Sequence, residues 1–328
     1  MTSRVCSTAS LLIDLPVAVD ALPPRGGGSL GQVQQATAGG GFNVLAAVAR
    51  QGPPAHALCP LGDGWRAEVL VEAMAAEGAV HSGSRRPGED NGLCLTLLEP
   101  DGERSFITSP GTESRVCAED LPEPEEMSGD FVYVSGYDLL YPDAGGALAA
   151  WLVRLPATTR LVLDPAPMVA HIPDGRLDPV LARVDLLTLN GREAALLAGG
   201  GQQWDDELWP SLLARLGTEA VVVLRRGADG CLLHQPHRPV SALVPPAVTA
   251  VDTTGAGDAH AGVMMAGLLQ GQELEQAVAL ANLAAADSVT RPGPATCPDA
   301  DRLAQLLRSG ALGAARRDRR GAAADASR

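Results

Sequence analysis

Short, nearly continuous apolar runs alternate along this chain with Ala/Leu-rich stretches of helical length. Ser10–Ile13, Phe131–Ser135, Leu161–Asp164, Leu186–Asn190 and Ala220–Leu224 read as strands. Residues 43–51, 65–78, 145–155, 206–216, 258–270 and 274–290 read as helices. Strands separated by helices of this length pair in parallel, and strands covered on both faces are apolar throughout. The pattern therefore predicts an α/β domain with a mostly parallel sheet flanked by helices. One segment breaks the rhythm. Residues 91–110 form two β-rich stretches around Glu99-Pro100-Asp101-Gly102, and Asp-Gly is a hairpin signal. This predicts either a small accessory sheet, such as a lid, or an edge hairpin of the main sheet. Residues 1–308 read as a single domain, and 309–328, rich in Ala, Gly, Arg and Asp, as a disordered tail.

Composition narrows the chemistry. All 25 basic residues are arginine, and no lysine is present. Schiff-base chemistry, lysine-bound pyridoxal phosphate, a P-loop with its lysine, and the protein-kinase strand lysine are thereby excluded. With 39 acidic residues the formal net charge is −14. That disfavours nucleic acid or an anionic membrane as partner. Aromatics are only 3 %, too few for base-stacking platforms. The six cysteines are scattered without a C-x-x-C pair, as in a reducing cytoplasm. Asp14 and Asp20 interrupt any signal-peptide layout, and no run of about 18 apolar residues suggests a membrane span. A cytoplasmic location is expected.

The segment with most chemical content is Val251-Asp252-Thr253-Thr254-Gly255-Ala256-Gly257-Asp258, followed by helix. Gly-Ala-Gly lets the backbone turn tightly with amides pointing one way, and the helix adds its positive end to the same spot. The result is an anion hole made of main chain. A carboxylate at its mouth, Asp258, is unfavourable unless it has a task, such as accepting a proton from an attacking hydroxyl. The competing reading is that Asp258 is a helix N-cap.

The stretch Asp252 to Gly262, DTTGAGDAHAG, resembles the C-terminal signature of the ribokinase (phosphofructokinase-B) family of carbohydrate kinases. Other matches follow in family order. Ala38-Gly39-Gly40-Gly41-Phe42-Asn43 resembles the N-terminal glycine signature, and Asp14, at the end of the first strand, the sugar-binding aspartate. Asn190-Gly191-Arg192-Glu193 is similar to the N-x-x-E motif, Gly227-Ala228-Asp229-Gly230 to a second glycine turn, and residues 289–293 to the segment beside a monovalent-cation site. The resemblance implies a doubly wound α/β fold with a small β lid. It also implies ATP-dependent phosphorylation of a hydroxyl on a small sugar.

The roles implied by the resemblance are specific. Asp258 is the general base, and the amides of Gly255, Ala256 and Gly257 hold the phosphoryl oxygens. Asp14, Gly39, Gly40, Asn43 and, from the lid, Arg104 bind the acceptor. Asn190, Arg225, Gly227, Asp229, Gly230 and Asn282 bind the nucleotide. Glu193 organises Mg2+. Asp252 and Thr254, with backbone oxygens of Ser288, Arg291 and Gly293, correspond to a K+ site. Local structure offers plainer accounts of several: Asn43 as a helix N-cap, Asn190 and Glu193 as a capping box, and His260 as a packing residue. Asp164-Pro165-Ala166-Pro167 departs from the family by lacking an arginine shortly after the aspartate. A nucleoside kinase of the same family and a non-catalytic sugar- or nucleotide-binding regulator are the alternatives. A homodimer paired through the lids is expected.

Overall fold

The computed structural model describes residues 3–100 and 104–310, with Arg104 described for its backbone only. The Asp101-Gly102 turn and most of the expected tail, residues 311–328, lie outside the described residues.

The strands are β1 (Val5–Ser7), β2 (Leu11–Val19), β3 (Gly31–Val33), β4 (Thr37–Gly40), β5 (Ala55–Ala57), β6 (Val80–His81), β7 (Gly92–Leu98) and β8 (Arg104–Ser109). They continue with β9 (Phe131–Ser135), β10 (Arg160–Asp164), β11 (Leu186–Asn190), β12 (Val221–Arg225), β13 (Cys231–His234) and β14 (Ser241–Leu243). Nine of them form the main sheet in the order β14-β13-β12-β11-β10-β9-β1-β5-β6. It is parallel from β6 to β12, and antiparallel at β13 and β14. Each strand shares its residues between two cores. Val5 and Val162 pack on one face, while Cys6, Leu161 and Leu163 pack on the other. Helices 41–49, 65–77, 256–269 and 274–288 cover the first face. Helices 145–152, 174–183 and 191–197 cover the second. Both faces being dry explains the apolar strand sequences, each fully buried Leu contributing about 2 kcal/mol.

The chain winds outward from β1 through β5 to β6, then returns to β9 beside β1 and winds the other way. The switch point between β1 and β9 opens a crevice at the C-terminal ends of the strands, where doubly wound sheets place their ligands.

A second sheet, β3-β2-β7-β8 with β4 also paired to β2, stands over that crevice. The hairpin read from residues 91–110 belongs to it as β7 and β8, antiparallel from Leu93↔Ser109 to Leu98↔Arg104. The lid is larger than that hairpin. The run at Ser10–Ile13 is not a main-sheet strand: it opens β2, which continues to Val19 in the lid. Asp14 accordingly lies within this strand and does not end the first one. Its period of two is the reason: Leu11 and Ile13 are fully buried, whereas Leu12 and Asp14 line the crevice.

Local chemistry also moved some helix boundaries. The expected helix 206–216 is a 3-10 turn, Asp206–Leu208, and one short helix, Trp209–Leu213, because Pro210 supplies no N–H to continue the ladder. Among the described residues no helix is long and apolar enough to cross a membrane.

Candidate active site

A cavity of about 400 Å³ lies between the strand ends and the lid. The floor comes from strand termini of the main sheet: Ser135 ends β9, Asp164 ends β10 and Arg225 ends β12. The lid contributes Leu12, Asp14, Cys94, Phe106 and Thr108. Thr254 and Asp258 close the site from the glycine turn.

The turn has the predicted shape. Gly255 is the N-cap of helix 256–269 with φ +74°, and a Cβ there would run into the Pro294 carbonyl. Asp258 lies in the first turn, not at the cap, and caps nothing. The Ala256 amide bends back toward the Thr253 carbonyl at 3.3 Å. The other first-turn amides have no intrahelical acceptor by construction and face outward from the helix end.

Asp258 meets Asn43 across the helix pair: the Asn43 Nδ2 donates to Asp258 Oδ2 at 3.1 Å. Asn43 is inside the first turn of helix 41–49, whose N-cap is Gly40, so the capping account of Asn43 is set aside. Packing makes this contact. Asn43 and Ala47, like Asp258 and Gly262, are one helical turn apart on one face. A Cβ added at Gly262 would come within 2.5 Å of the Ala47 Cβ and 2.9 Å of the Val44 carbonyl. The helices touch there as only glycine permits, and one turn up the two polar groups meet. Burial pushes the Asp258 carboxyl up to about 7. The Asn43 donor and Arg225 oppose that rise, whereas Asp164 and Asp14 add to it.

Arg225 is the one cation lining the cavity among the described residues. Its Nη2 pairs with Asp164 Oδ2 at 2.9 Å and lies 3.6 Å from Glu193 Oε2. Its Nη1 is buried without a partner, and is the atom a Cβ on Gly257 would approach at 2.7 Å. The guanidinium therefore lies against the glycine turn. Glu193 is 3 % exposed, and burial, then Asp164, raise its carboxyl to about 7. Its capping box with Asn190 forms as well: Asn190 N–H donates to Glu193 Oε2 at 2.7 Å, and Glu193 N–H to Asn190 Oδ1 at 2.9 Å.

Asp14 rests against Gly39, where a Cβ would overlap its carboxylate, and burial raises its carboxyl to about 6. Asp252 ties the other side of the turn, accepting from the Thr254 amide at 2.8 Å and the Gly293 amide at 3.0 Å. The Ser288 carbonyl accepts from the Thr296 hydroxyl at 2.9 Å, and the Arg291 side chain is engaged with Asp287.

Some expected site residues stand apart from the cavity wall. Gly227, Asp229 and Gly230 shape the turn from β12 to β13. Asn282 is buried and donates to the Leu243 carbonyl at 3.0 Å. His260 is buried, and its imidazole is pushed down to about 3 by that burial, so it stays neutral. The Arg104 side chain is outside the described atoms.

Sequence reasoning missed one wall. Tyr133, Tyr137 and Tyr141, which are all the tyrosines of the chain, line the cavity with Ser10, Ser135 and Asp138. Asp138 is buried and accepts from the Ser10 amide and hydroxyl at 3.0 and 2.7 Å and from the Ser135 amide at 3.2 Å. The legible signal was Ser135-Gly-Tyr-Asp directly after an apolar strand, a capping box at a sheet's C-terminal edge.

The sequence profile described as pfkB family carbohydrate kinase matches residues 2–301. An uncharacterized sugar kinase, YegV, of Escherichia coli K12 is 34 % identical over 92 % of this chain and 94 % of its own length. An ATP-dependent ribose-1-phosphate kinase of Halopiger xanaduensis is 28 % identical over 93 % and 98 %. The crystal structure of ribokinase from Thermotoga maritima superposes with a TM-score of 0.80 at 22 % identity, covering 93 % of this chain and 99 % of that one.

Proposed function

The chain belongs to the pfkB family of carbohydrate kinases and is an ATP-dependent kinase; on that premise we propose that it phosphorylates a hydroxyl of a small neutral sugar. The observation that carries the acceptor's charge is the cavity lining: among the described residues, Asp14, Asp138, Asp164, Glu193 and Asp258 face Arg225 as the one cation. Among the described residues, a sugar phosphate or keto acid entering that field would meet one guanidinium, already shared by two carboxylates. A polyol meets hydrogen-bond acceptors instead, with Asp14 and Asn43 suited to its hydroxyls.

In the proposed step Asp258 takes the acceptor's proton as the hydroxyl oxygen bonds to the γ-phosphorus. The bond from that phosphorus to the β-bridging oxygen breaks, and ADP leaves. Amides of Gly255, Ala256 and Gly257 and the unpartnered Nη1 of Arg225 stabilise the phosphoryl oxygens. Arg225 would thus supply, from β12, the positive charge absent after Asp164. Asn190, Gly227, Asp229, Gly230 and Asn282 belong to the nucleotide side in this reading.

Hard carboxylate oxygens on Glu193 and Asp164 suit Mg2+, which keeps most of its waters and needs few protein ligands. Bound there, the ion would neutralise phosphate charge. No group of three or more acidic, His or Cys side chains forms a fuller cage among the described residues. Asp252 and the carbonyls of Thr254, Ser288, Arg291 and Gly293 are all oxygen donors, as K+ requires, and would hold the turn without joining the chemistry. Val33 and Ile107, exposed on the lid, suit pairing of two lids in a homodimer. Six free cysteines, five of them buried, suit a reducing cytoplasm.

A nucleoside acceptor is the second reading, favoured by the concentration of Phe106 and the three tyrosines on this one cavity. The test is ADP release against pentoses, hexoses, nucleosides, keto-deoxy acids and sugar phosphates. Turnover is expected with a neutral sugar. Preference for an anionic acceptor would overturn the charge argument, and binding without turnover of any acceptor would favour a regulator.

A further inference from the structure

The lid joins the main domain at Ser10–Leu11, Gly40–Gly41, Asn91–Gly92 and Ser109–Gly111. Backbones meet closely at two of these crossings. A Cβ on Gly111 would run into the backbone of Asn91 and Gly92, and one on Gly92 into the Glu113 carboxylate. No side chain separates the strand entering the lid from the strand leaving it. Glu113, 1 % exposed, spans the pair: Gly92 N–H donates to its Oε2 and Gly111 N–H to its Oε1, both at 2.8 Å. Asn91, fully buried, extends the tie to the neighbouring crossing. Its Nδ2 donates to the Leu11 carbonyl at 3.0 Å, and its Oδ1 accepts from Gly62 N–H at 3.0 Å.

We infer that Glu113 is a positioning residue for the lid, holding β7 and β8 at the angle that sets Cys94, Phe106 and Thr108 over the acceptor cavity. The inference rests on the reading that this cavity takes the acceptor. A buried carboxylate with each oxygen satisfying a different chain crossing resists relative movement of the two strands. It touches no proposed reacting atom. Glutamine has the same length but presents an NH2 where the second amide also needs an acceptor, so one crossing is left unsatisfied. Aspartate keeps both oxygens on a shorter stem.

The test compares the full-length wild type with Glu113→Gln and Glu113→Asp by hydrogen exchange and by kinetics. Amide exchange in residues 92–98 and 104–109 should rise at least about tenfold in Glu113→Gln, while β9–β12 stays within about twofold. Glu113→Asp should fall between. With ATP and D-ribose as the probe acceptor, KM for ribose should rise several-fold, with kcat and KM for ATP nearly unchanged. Equal acceleration in both sheets, or unaltered lid exchange, would overturn the inference. Should Glu113→Gln fail to fold, the same lid-selective pattern is required of Glu113→Asp. If the wild type does not phosphorylate ribose, the acceptor's identity is what fails, and the exchange comparison still decides the role of Glu113.

Discussion

Replacing Asn43 by leucine should move the pH dependence of turnover in a direction set by one hydrogen bond. The Asn43 amide donates to Asp258 Oδ2 at 3.1 Å, and the carboxyl titrates near 7 because burial and neighbouring carboxylates outweigh that donor and Arg225. A base works ionised, so activity rises with pH through this value. Donation from Asn43 stabilises the ionised form, and removing it must raise the pKa. A hydrogen bond to a charged group contributes roughly 1.5–3 kcal/mol, and each pKa unit is about 1.4 kcal/mol. Because Asp258 is half-buried and water can replace part of the donor, the lower end applies, about one unit. At pH 7 the ionised fraction would drop from about one half to about one tenth, roughly a fivefold loss. Above about pH 9 that loss disappears, leaving only the pH-independent cost of a lost acceptor contact. The assay is kcat/KM from ADP release across pH 5.5–9.5, which reports the free enzyme. A midpoint that stays put or moves down would refute the assignment of Asp258 as the titrating base.

The same aspartate supports two further tests. Asp258→Asn should lower turnover by roughly 10²–10⁴ while ATP affinity, read by titration calorimetry, stays within about threefold. It should also stabilise the protein above pH 7. A carboxyl whose folded pKa is raised contributes stability that is complete below about pH 4 and is lost as pH rises through about 7. Three units set a ceiling of about 4 kcal/mol, cut by partial exposure to about 1 kcal/mol, so Tm at pH 8 should increase by about 2 °C and at pH 4 hardly at all. Gly262→Val would wedge its side chain against Ala47 and the Val44 carbonyl. Stability should fall by about 1–3 kcal/mol in denaturant titration, and the acid limb should shift upward as Asn43 and Asp258 part.

The legible parts were those decided within a few residues. The strand runs at 131–135, 161–164 and 186–190 appear nearly as read, since their apolar character reports burial on both faces. The Asn190–Glu193 box and the tight turn at Gly255 also follow from local chemistry. Leu11–Val19 was harder: an apolar run gives strand character, but not which of two sheets receives it. Pro210 was visible in the sequence and should have shortened the helix around it. Tyr133, Tyr137 and Tyr141 share no feature in sequence that marks a common wall; the end of β9 facing the crevice brings them together.

What the sequence determined by itself was the layer architecture and the tight turn at Gly255, because hydrophobic period and glycine conformation act over one or two helical turns. Tertiary structure decided the electrostatics. Arg225 reaches Asp164 and Glu193 from a strand 61 and 32 residues away in sequence, and Asn43 reaches Asp258 across 215 residues. Those distances close only when β10, β11 and β12 align their ends and when Gly262 lets two helices touch. Charge pairing depends on separations of a few ångströms in a desolvated crevice, and no local pattern encodes them.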